Sequence, residues 1–332
     1  MPVYNGAAFL EETLESLRNQ DFEDYEILCI DDCSTDHSAR LLAQYAEKDG
    51  RFRYFKTPEN LGIVPKVMNF AAPLVRGDYF AYTSQDDLYS KDWLNSLYQR
   101  AQVTKADAVL PDVEFFFAGR ADNQRIVGLN GDRSAILSGR DAFVASLDWR
   151  IAGNALWKSA FLKEIGFQDF GMFADEYTVR SFFLACDTVA FCDGVFFYRQ
   201  DNPDAITKKV SAKTLDAVHN TFMLWRLAKE NSFDETICGP MAYKTLKSLI
   251  RAYALIFRTP QLQPYIYKCD AAFEALQSDG FRASLAAGLR SDKGFPLRFV
   301  YLRAQSSKKY LLAVARVKAV FGAVMHGKRR RG

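Results

Sequence analysis

The stretch Tyr25-Glu-Ile-Leu-Cys-Ile-Asp-Asp-Cys-Ser-Thr-Asp36 indicates the fold class, because a short apolar run ends directly in two carboxylates. An apolar run of this length between polar residues is typical of a buried strand. Segments of helical character lie on either side: Leu10, Leu14 and Leu17 recur at helical spacing before it, and residues 35–47 follow it. The stretch is therefore predicted to be a strand that enters a sheet between two helices.

The alternation of strand-like and helix-like segments continues along the chain. Residues 52–55, 79–83, 108–110 and 113–117 have extended character, and Pro65 is placed to open a helix. Strands that alternate with helices predict an α/β fold with a mostly parallel sheet flanked by helices.

Two pairs of carboxylates come directly after predicted strands. Asp31-Asp32 follows the first of these strands, and Asp86-Asp87 follows the strand at 79–83. Ligands of such sheets bind beyond the carboxyl ends of the strands, so we expect both pairs on one rim. The residues alone leave two explanations open. Each pair could cap the next helix, which fits either pair taken singly, or the two could form a site for a nucleoside diphosphate and its divalent cation.

Composition excludes several classes of protein. With 332 residues, 49% hydrophobic and 25% charged, the chain has the balance of a soluble globular protein, not of a disordered or disulfide-scaffold one. The six cysteines form no CxxC pair. No run of residues resembles a signal peptide or reaches the ~20 apolar residues of a membrane span. We therefore expect a cytoplasmic protein.

The second half of the chain has a different texture. Residues 211–229, 236–258 and 271–289 have helical character, with few strand candidates between them. From residue 295 onward there are ten Lys or Arg and no Asp or Glu, although the whole chain carries only +3. We predict three parts, a catalytic domain at 1–205, a helical region at 206–294 and a basic amphipathic tail at 295–332.

Several short motifs occur in a fixed order over residues 1–200. They are Pro2-Val3-Tyr4-Asn5-Gly6, Ile30-Asp-Asp-Cys-Ser-Thr-Asp36, Asn60-Leu61-Gly62, Gly77-Asp78-Tyr79, Ser84-Gln85-Asp86-Asp87, Asp175-Glu176 with Arg180, and Tyr198-Arg199. Together they resemble the family 2 glycosyltransferases, nucleotide-sugar-dependent enzymes with the GT-A fold. The resemblance implies an inverting transfer of a sugar from a nucleoside diphosphate, with a UDP-sugar favoured, to a saccharide or lipid-linked acceptor. Assembly of a cell-surface polysaccharide is the setting it suggests.

The resemblance also assigns roles to the residues of the donor site. Asp32, with Asp31 beside it, matches the acid that hydrogen-bonds the base, and Asp86 matches the second acid of the metal-binding DxD motif. Ser84 stands at the first acid of that motif, so the expected Mn²⁺ or Mg²⁺ has one carboxylate fewer. The full set implied to bind the nucleotide sugar is Pro2, Val3, Tyr4, Asn5, Asp31, Asp32, Asn60, Lys66, Asp86 and Asp87.

The catalytic base implied by the resemblance is a carboxylate in the pair Asp175-Glu176. Family members have the order Glu-Asp, so the reversed order leaves Asp175 as the first choice and Glu176 as the second. The residues alone fit an ordinary helix start, with Glu176 and Arg180 paired at i,i+4. The departures at Ser84 and Asp175-Glu176 leave one alternative function, a catalytically inactive relative that binds nucleotide or a partner. A nucleotidyltransferase is a weaker alternative, because no Gly-rich phosphate loop is present.

The two ends of the chain give rise to further expectations. Family members carry an apolar strand before the Pro2–Gly6 loop, so we expect the first strand of this sheet to be missing. The basic tail has apolar residues at helical spacing, among them Val317, Val320, Phe321 and Val324. It fits equally well a helix packed on the body and an amphipathic helix on anionic lipid at the inner face of the plasma membrane. Nucleic acid is not expected, since no nucleic-acid module accompanies the basic cluster.

Overall fold

The computed structural model describes residues 1–291 and 297–329. It divides the chain into two compact units, one of residues 1–170 and 174–205, the other of residues 171–173 with those from 206 onward. Among the described residues, the first unit contains all the strands, and helices make up most of the second. Predictions that concern Phe295, Arg330 and Arg331 lie outside the described residues.

Two sheets form the centre of the first unit. Their strands are β1 (Pro2–Val3), β2 (Ile27–Asp31), β3 (Phe52–Lys56), β4 (Tyr79–Phe80), β5 (Leu88–Tyr89), β6 (Ala108–Phe116), β7 (Arg125–Ile126), β8 (Leu156–Lys158) and β9 (Val189–Arg199). The first sheet is parallel, in the order β1-β2-β3. The second has the order β4-β8-β6-β9-β5, with β7 beside β6. Its β6–β9 pair is parallel and its other pairs are antiparallel.

Helices flank the sheets and build the second unit. Those of the first unit are α1 (Ala7–Arg18), α2 (Ser38–Lys48), α3 (Val64–Ala71), α4 (Trp93–Thr104), α5 (Gly139–Ser146), α6 (Ala160–Glu164) and α7 (Ala174–Ala185). Those of the second unit are α8 (Asp216–Glu230), α9 (Glu235–Arg258), α10 (Ile266–Ala275), α11 (Asp279–Ser291), α12 (Leu297–Ser306) and α13 (Lys308–Arg329). The predicted α/β fold with a helical C-terminal region is confirmed.

The stretch that opened the sequence analysis folds as predicted. Every residue of β2 is buried. Helix α1 packs its predicted face, Leu10, Leu14 and Leu17, into the same core cluster as Ile27. Apolar side chains on both faces of a parallel strand are covered by helices, which is why β2 lacks the alternation of a half-exposed strand.

Several predicted elements need correction. The strand predicted at 79–83 is only two residues long, because the residues after Phe80 have no ladder partner. The segments 108–110 and 113–117 form a single strand, β6, whose register shifts between Leu110 and Asp112. Pro111 sits at that shift, where a residue without an N–H costs no ladder bond.

The parallel sheet begins with the two residues of β1, which pair with Ile30 and Asp31 and belong to the Pro2–Gly6 stretch itself, so the expectation about a strand before that stretch stays a prediction. One further expectation is corrected in the same way. The single helix expected at 271–289 is interrupted and becomes α10 and α11. Ser278 and Asp279 lie at the break, and both residue types favour a helix start over a helix interior.

Candidate active site

The loop after β1 is fastened to the loop after β2 through Asn5. The side-chain oxygen of Asn5 accepts hydrogen bonds from the backbone N–H groups of Thr35 (2.7 Å) and Asp36 (3.3 Å). Its own backbone N–H donates to Oγ of Ser34 at 3.0 Å. Asn5 has a left-handed backbone with φ of 49°, which asparagine tolerates better than most residues. Asn5 thus joins two of the predicted donor-site motifs.

Gln85 joins the first loop to the second acidic pair. Its side-chain carbonyl accepts from the Tyr4 backbone N–H at 2.8 Å, and its amide donates to the Tyr4 carbonyl at 3.2 Å. A Cβ atom on Gly6 would come within 2.6 Å of the Gln85 side chain, so glycine is what the close approach allows. The loop at residues 3–6 therefore contacts both acidic motifs, and the Tyr4 side chain is half-exposed beside them.

Asp32 holds the Asn60-Leu61-Gly62 turn. Its carboxylate accepts from the backbone N–H groups of Leu61 (2.7 Å) and Gly62 (3.1 Å) and from the Thr57 hydroxyl (3.0 Å). The Asn60 side chain donates to the Asp32 carbonyl at 2.9 Å. Asp32 and Asn60 are thus in contact, and the Asp32 carboxylate accepts its hydrogen bonds from other groups of this chain.

The other predicted residues near this turn lie in different settings. Asp31 is fully buried, and its Oδ1 accepts from the Ser34 backbone N–H at 2.9 Å. Pro2 and Val3 form β1, with Val3 buried in the core. Lys66 is exposed near the start of α3.

Arg199 and Asn202, at and just beyond the end of β9, hold the second acidic pair in place. The Arg199 backbone N–H donates to the buried Asp87 carboxylate at 2.9 Å, and its guanidinium donates to the Asp86 carbonyl at 2.6 Å. The Asn202 amide donates to Oδ2 of Asp86 at 2.7 Å. Burial, and then the charge of Asp86, raise the pKa of Asp87 to about 7. One oxygen of Asp86, Oδ1, accepts no hydrogen bond from any residue that the structure describes.

Asp175 and Glu176 differ in their surroundings although they are neighbours at the start of α7. Glu176 forms an ion pair with the buried Arg180, which also donates to the Ser146 carbonyl at 2.9 Å. Asp175 has no such ion pair within the described part of the chain. Burial, and then the charge of Glu176, raise the pKa of Asp175 to about 6. Asp175 is therefore a carboxylate that can accept a proton near neutral pH.

Both acidic groups act electrostatically on the Tyr198 side chain. Burial raises the pKa of this tyrosine, and the charges of Asp87, Asp86, Glu176 and Asp175 raise it further. The carboxylates of residues 86–87 and 175–176 therefore share one electrostatic neighbourhood.

Asp175 also opens onto a small pocket. The pocket is lined by Glu176 and Arg180, by Tyr82, and by Trp149, whose side chain is half-exposed. Burial, and then the charge of Asp175, raise the pKa of Tyr82, which keeps its phenol protonated. A polar molecule that reaches Asp175 would therefore meet an aromatic ring and a hydrogen-bond donor.

Comparison with known proteins identifies the family to which this part of the chain is similar. Residues 1–162 match the sequence profile described as Glycosyl transferase family 2. They form a glycosyl transferase family 2 domain. Glycosyltransferase GlyG of Streptococcus pneumoniae serotype 4 (strain ATCC BAA-334 / TIGR4) is 26% identical over 219 residues, which are 60% of this chain and 69% of that protein. The predicted family is confirmed, and the chain carries a glycosyltransferase domain.

A second similar sequence and a similar crystal structure extend the comparison. The poly(ribitol-phosphate) beta-glucosyltransferase of Bacillus spizizenii (strain ATCC 23059 / NRRL B-14472 / W23) is 34% identical over 33% of this chain, a segment that spans only 18% of that protein. The crystal structure of S. aureus TarS 1-349 in complex with UDP-GlcNAc has a TM-score of 0.70, over 96% of this chain and 90% of that one, at 17% identity. This likeness confirms the predicted GT-A fold.

The glycosyltransferase domain offers hard oxygen donors where the resemblance implies a divalent cation. Oδ1 of Asp86 accepts no hydrogen bond from the described residues, and the Asp87 carboxylate is adjacent along the chain. Carboxylate oxygens suit Mg²⁺ and Mn²⁺. No group of three His, Cys, Asp or Glu side chains able to hold a metal occurs in residues 1–291 and 297–329. The residues therefore fit a cation that takes most of its ligands from a bound diphosphate.

Sequence reasoning assigned no positioning role to Gln85 and Arg199, although both stand in the quoted motifs, and it did not single out Asn202. Gln85 holds the Tyr4 backbone, and Arg199 and Asn202 hold Asp86 and Asp87, in each case across a long stretch of sequence. A cavity of about 550 Å³ in the glycosyltransferase domain, lined by residues such as Leu28, Met68 and Phe80, contains none of the predicted site residues. This cavity therefore does not mark the chemistry of the domain.

Proposed function

We propose that this chain is an inverting glycosyltransferase that moves a sugar from a nucleoside diphosphate to a saccharide or lipid-linked acceptor. The observation that carries the proposal is the Asp175 carboxylate, which has a raised pKa and no ion pair among the described residues, in the same electrostatic neighbourhood as Asp86 and Asp87. The neighbouring Glu176 is occupied by Arg180, which favours Asp175 as the base and Glu176 as a support.

The chemistry assigned to Asp175 is general-base catalysis. The acceptor hydroxyl oxygen forms a bond to the anomeric carbon from the face opposite the diphosphate, and its proton passes to the Asp175 carboxylate. The bond from the anomeric carbon to the diphosphate oxygen breaks, and the nucleoside diphosphate leaves with the electron pair. A single displacement of this kind inverts the anomeric centre.

The donor side of the site is assigned to the three connected loops at residues 3–6, 31–36 and 84–87, with the turn at 57–62. Asp32 and Asn60 hold the turn in place, and the exposed Tyr4 side chain is available to contact the nucleobase of the donor. Asp86 would hold a Mn²⁺ or Mg²⁺ ion, with Asp87 next to it. When bound, such an ion supplies positive charge that stabilises the departing diphosphate.

A UDP-sugar donor and a role in cell-surface polysaccharide synthesis are proposed from the comparisons. The structurally similar TarS was crystallised with UDP-GlcNAc, and one relative is named a poly(ribitol-phosphate) beta-glucosyltransferase. Another relative, TuaG of Bacillus subtilis (strain 168), is named a putative teichuronic acid biosynthesis glycosyltransferase. These names support the substrate class proposed here without identifying the sugar.

The donor proposal is tested by isothermal titration of UDP, GDP, dTDP and CDP in the presence of Mn²⁺, Mg²⁺ or EDTA. We expect UDP to bind, at least about tenfold more tightly with metal than with EDTA, because Asp86 needs the cation to hold a diphosphate. Tight binding of a different nucleotide would correct the donor class. Failure of all four to bind in any condition would contradict the proposal.

The pH dependence of the reaction tests the assignment of the base. Because the pKa of Asp175 is raised to about 6, the carboxylate is mostly ionised at pH 7.5 and mostly protonated at pH 5. We expect kcat/KM for release of UDP from the donor to fall about tenfold per pH unit below pH 6 and to level off above it. A profile that stays flat down to pH 5 would show that the base has an ordinary carboxylate pKa and is not Asp175.

The basic tail is proposed to lie on an anionic membrane surface at the inner face of the plasma membrane. Helix α13 covers much of the tail, and Val317 and Val320 on it are exposed. Among the described residues, none of the helices has the length and apolar character needed to cross a bilayer. Contact through a surface helix is the kind of attachment that such a sequence allows.

A further inference from the structure

The segment at residues 147–155 joins α5 to β8 and forms part of the pocket at Asp175. It contributes Trp149 and Asn154 to the pocket wall. Trp149 has a left-handed backbone with φ of 63°, a conformation that a bulky residue adopts only at a cost. Its side chain is nevertheless 43% exposed, so burial in the core does not offset that cost. A strained, exposed aromatic residue in the same pocket as the proposed base points to a role in binding.

Contacts on both sides of Trp149 fix this segment to helix α7. Before it, Ser146 is buried, and its carbonyl accepts a hydrogen bond from the Arg180 guanidinium at 2.9 Å. After it, Gly153 lies so close to α7 that a Cβ atom would come within 2.5 Å of the Val179 side chain. Helix α7 is also the helix of the proposed base. The exposure of Trp149 is therefore that of a residue held between two anchored points.

The Trp149 ring also has an aromatic neighbour within the fold. Its centroid lies 6.5 Å from that of Phe115, whose ring lies 6.1 Å from that of Tyr198. Tyr198 is the residue on which both acidic groups act electrostatically. Because Phe115 supports the indole, Trp149 offers an oriented aromatic surface to a molecule that binds at the pocket.

The size of the pocket limits what can enter it. Its volume of about 30 Å³ admits a hydroxyl group or a water molecule but not a sugar ring. An acceptor whose hydroxyl reaches Asp175 must therefore keep the rest of its structure outside the pocket. Trp149 is the most exposed of the residues that line it, so the rest of the acceptor meets the indole.

A pyranose ring matches the groups that surround this opening. One face of such a ring presents C–H groups, which pack against an aromatic ring, and its edge presents hydroxyls. The half-buried Asn154 amide has no hydrogen-bond partner among the described residues, so it is available to a hydroxyl. A linear polyol has no flat apolar face for the indole, and a lipid chain would give the amide no partner.

We propose that Trp149 and Asn154 form the acceptor subsite and that the acceptor presents a pyranose ring to them. The ring stacks on the indole, one hydroxyl bonds the Asn154 amide, and another enters the pocket to reach Asp175. This inference rests on the proposed function, since it takes Asp175 as the base. It narrows the acceptor to a molecule that is recognised through a sugar ring.

Tryptophan fluorescence tests the subsite in the unaltered chain. Of the four tryptophans, Trp93, Trp157 and Trp225 are buried, so iodide quenches mainly Trp149. The probes are methyl pyranosides of glucose, galactose, mannose and N-acetylglucosamine, with glycerol, ribitol and farnesyl phosphate for comparison, each with and without UDP and Mn²⁺. We expect at least one pyranoside to lower the quenching constant about twofold at saturation, because stacking covers one face of the indole. Trp149→Phe should abolish this change.

The kinetics of Trp149→Asn test the subsite during turnover. Asparagine tolerates the left-handed backbone but has no ring. With the pyranoside that protects Trp149 as acceptor, we expect the acceptor KM to rise about tenfold or more, and kcat and the KM for the UDP-sugar to stay within about threefold. Trp149→Phe keeps a ring and should raise the acceptor KM by less than about threefold.

Thermal stability separates a binding role from a packing role. Trp149→Asn relieves the backbone strain and removes a side chain that is only partly buried, so its melting temperature should equal or exceed that of the unaltered chain. A tryptophan needed for packing would lower the melting temperature when it is replaced. Tyr267→Asn is the matched control, because Tyr267 is 59% exposed and lines neither pocket described above, and it should leave the acceptor KM unchanged.

Four outcomes would overturn the proposal. The first is that no pyranoside protects Trp149 in any condition. The second is protection by ribitol, glycerol or farnesyl phosphate but not by pyranosides, which would assign the surface to a polyol or a lipid. The third is an unchanged acceptor KM in Trp149→Asn, or a rise in the KM for the UDP-sugar instead. The fourth is equal loss in Trp149→Phe and Trp149→Asn.

The same measurements distinguish this proposal from the proposed sugar transfer. UDP binding without protection of Trp149 would contradict the acceptor subsite alone. Protection by a pyranoside without binding of any nucleotide would contradict the sugar transfer and leave a saccharide-binding surface.

Discussion

Replacing Asp175 with asparagine is expected to lower kcat for sugar transfer by about 10³-fold, within the range that a general base contributes. Asparagine has the same shape but cannot take the proton of the acceptor hydroxyl. The affinity for UDP should change little, because the donor loops do not include Asp175. The measurements are the rate of UDP release from the UDP-sugar that titration identifies, and UDP binding by calorimetry.

The thermal stability of this variant gives an independent check. The raised pKa of Asp175 means that the fold disfavours its ionised form, and this cost grows as the pH rises from about 4 towards 6. Removing the charge should therefore leave the melting temperature unchanged or raise it at neutral pH. A loss of activity caused by misfolding would lower the melting temperature instead.

Glu176→Gln is the matched control, since it removes the neighbouring carboxylate charge and keeps the side-chain shape. We expect a rate within about tenfold of the unaltered enzyme, and a free energy of unfolding lower by about 1 kcal/mol because the pair with the buried Arg180 loses its charge. If Glu176→Gln abolishes transfer and Asp175→Asn does not, Glu176 is the base. If neither variant changes the rate, neither carboxylate is the base. If the unaltered chain itself releases no UDP from the donor, the chain is a relative that binds without catalysis.

The parts of the fold and site that could be predicted from the sequence are those that depend on residues close together in the chain. Strand β2 and helix α1 follow from apolar residues at fixed spacing, so they required no knowledge of distant contacts. The placement of Asp31 at the end of β2, and of Asp86 beyond β4, follows in the same way. The length of β4 could not be predicted, because a strand ends where its partner ends, and β8 lies far along the chain.

The roles of individual carboxylates depended on contacts that sequence does not show. The motif gives no sign that the Asp32 carboxylate has a partner within the chain. In the structure it accepts a hydrogen bond from the Leu61 N–H, which lies in a turn 29 residues later. Asp175 and Glu176 look equivalent in the sequence. They differ in the structure because Glu176 forms an ion pair with Arg180, a buried residue that also donates to the Ser146 carbonyl. Arg199 donates to the Asp86 carbonyl across 113 residues, so the motif Tyr198-Arg199 marks the residue but does not show its partner.

Replacing Asp86 with asparagine is expected to abolish the metal dependence of UDP binding and to lower kcat/KM by about 10²-fold or more. An amide is a poorer ligand for a hard cation than a carboxylate, and the charge that stabilises the leaving diphosphate is lost with the cation. Binding is measured by calorimetry with Mn²⁺ and with EDTA, and transfer by UDP release over a range of Mn²⁺ concentrations. The variant should bind UDP equally weakly in both buffers, and added metal should not restore its rate.

Asn202→Ala distinguishes loss of the ligand from loss of its orientation. The Asn202 amide fixes Oδ2 of Asp86 at 2.7 Å, so its removal frees the carboxylate to rotate but leaves its charge. We expect a several-fold higher Mn²⁺ requirement, with the full rate recovered at saturating metal, which Asp86→Asn cannot show. If Asp86→Asn keeps the metal-dependent binding of the unaltered chain, then Asp86 is not the metal ligand. The cation must in that case be held by the buried Asp87, whose raised pKa would make such binding strongly dependent on pH.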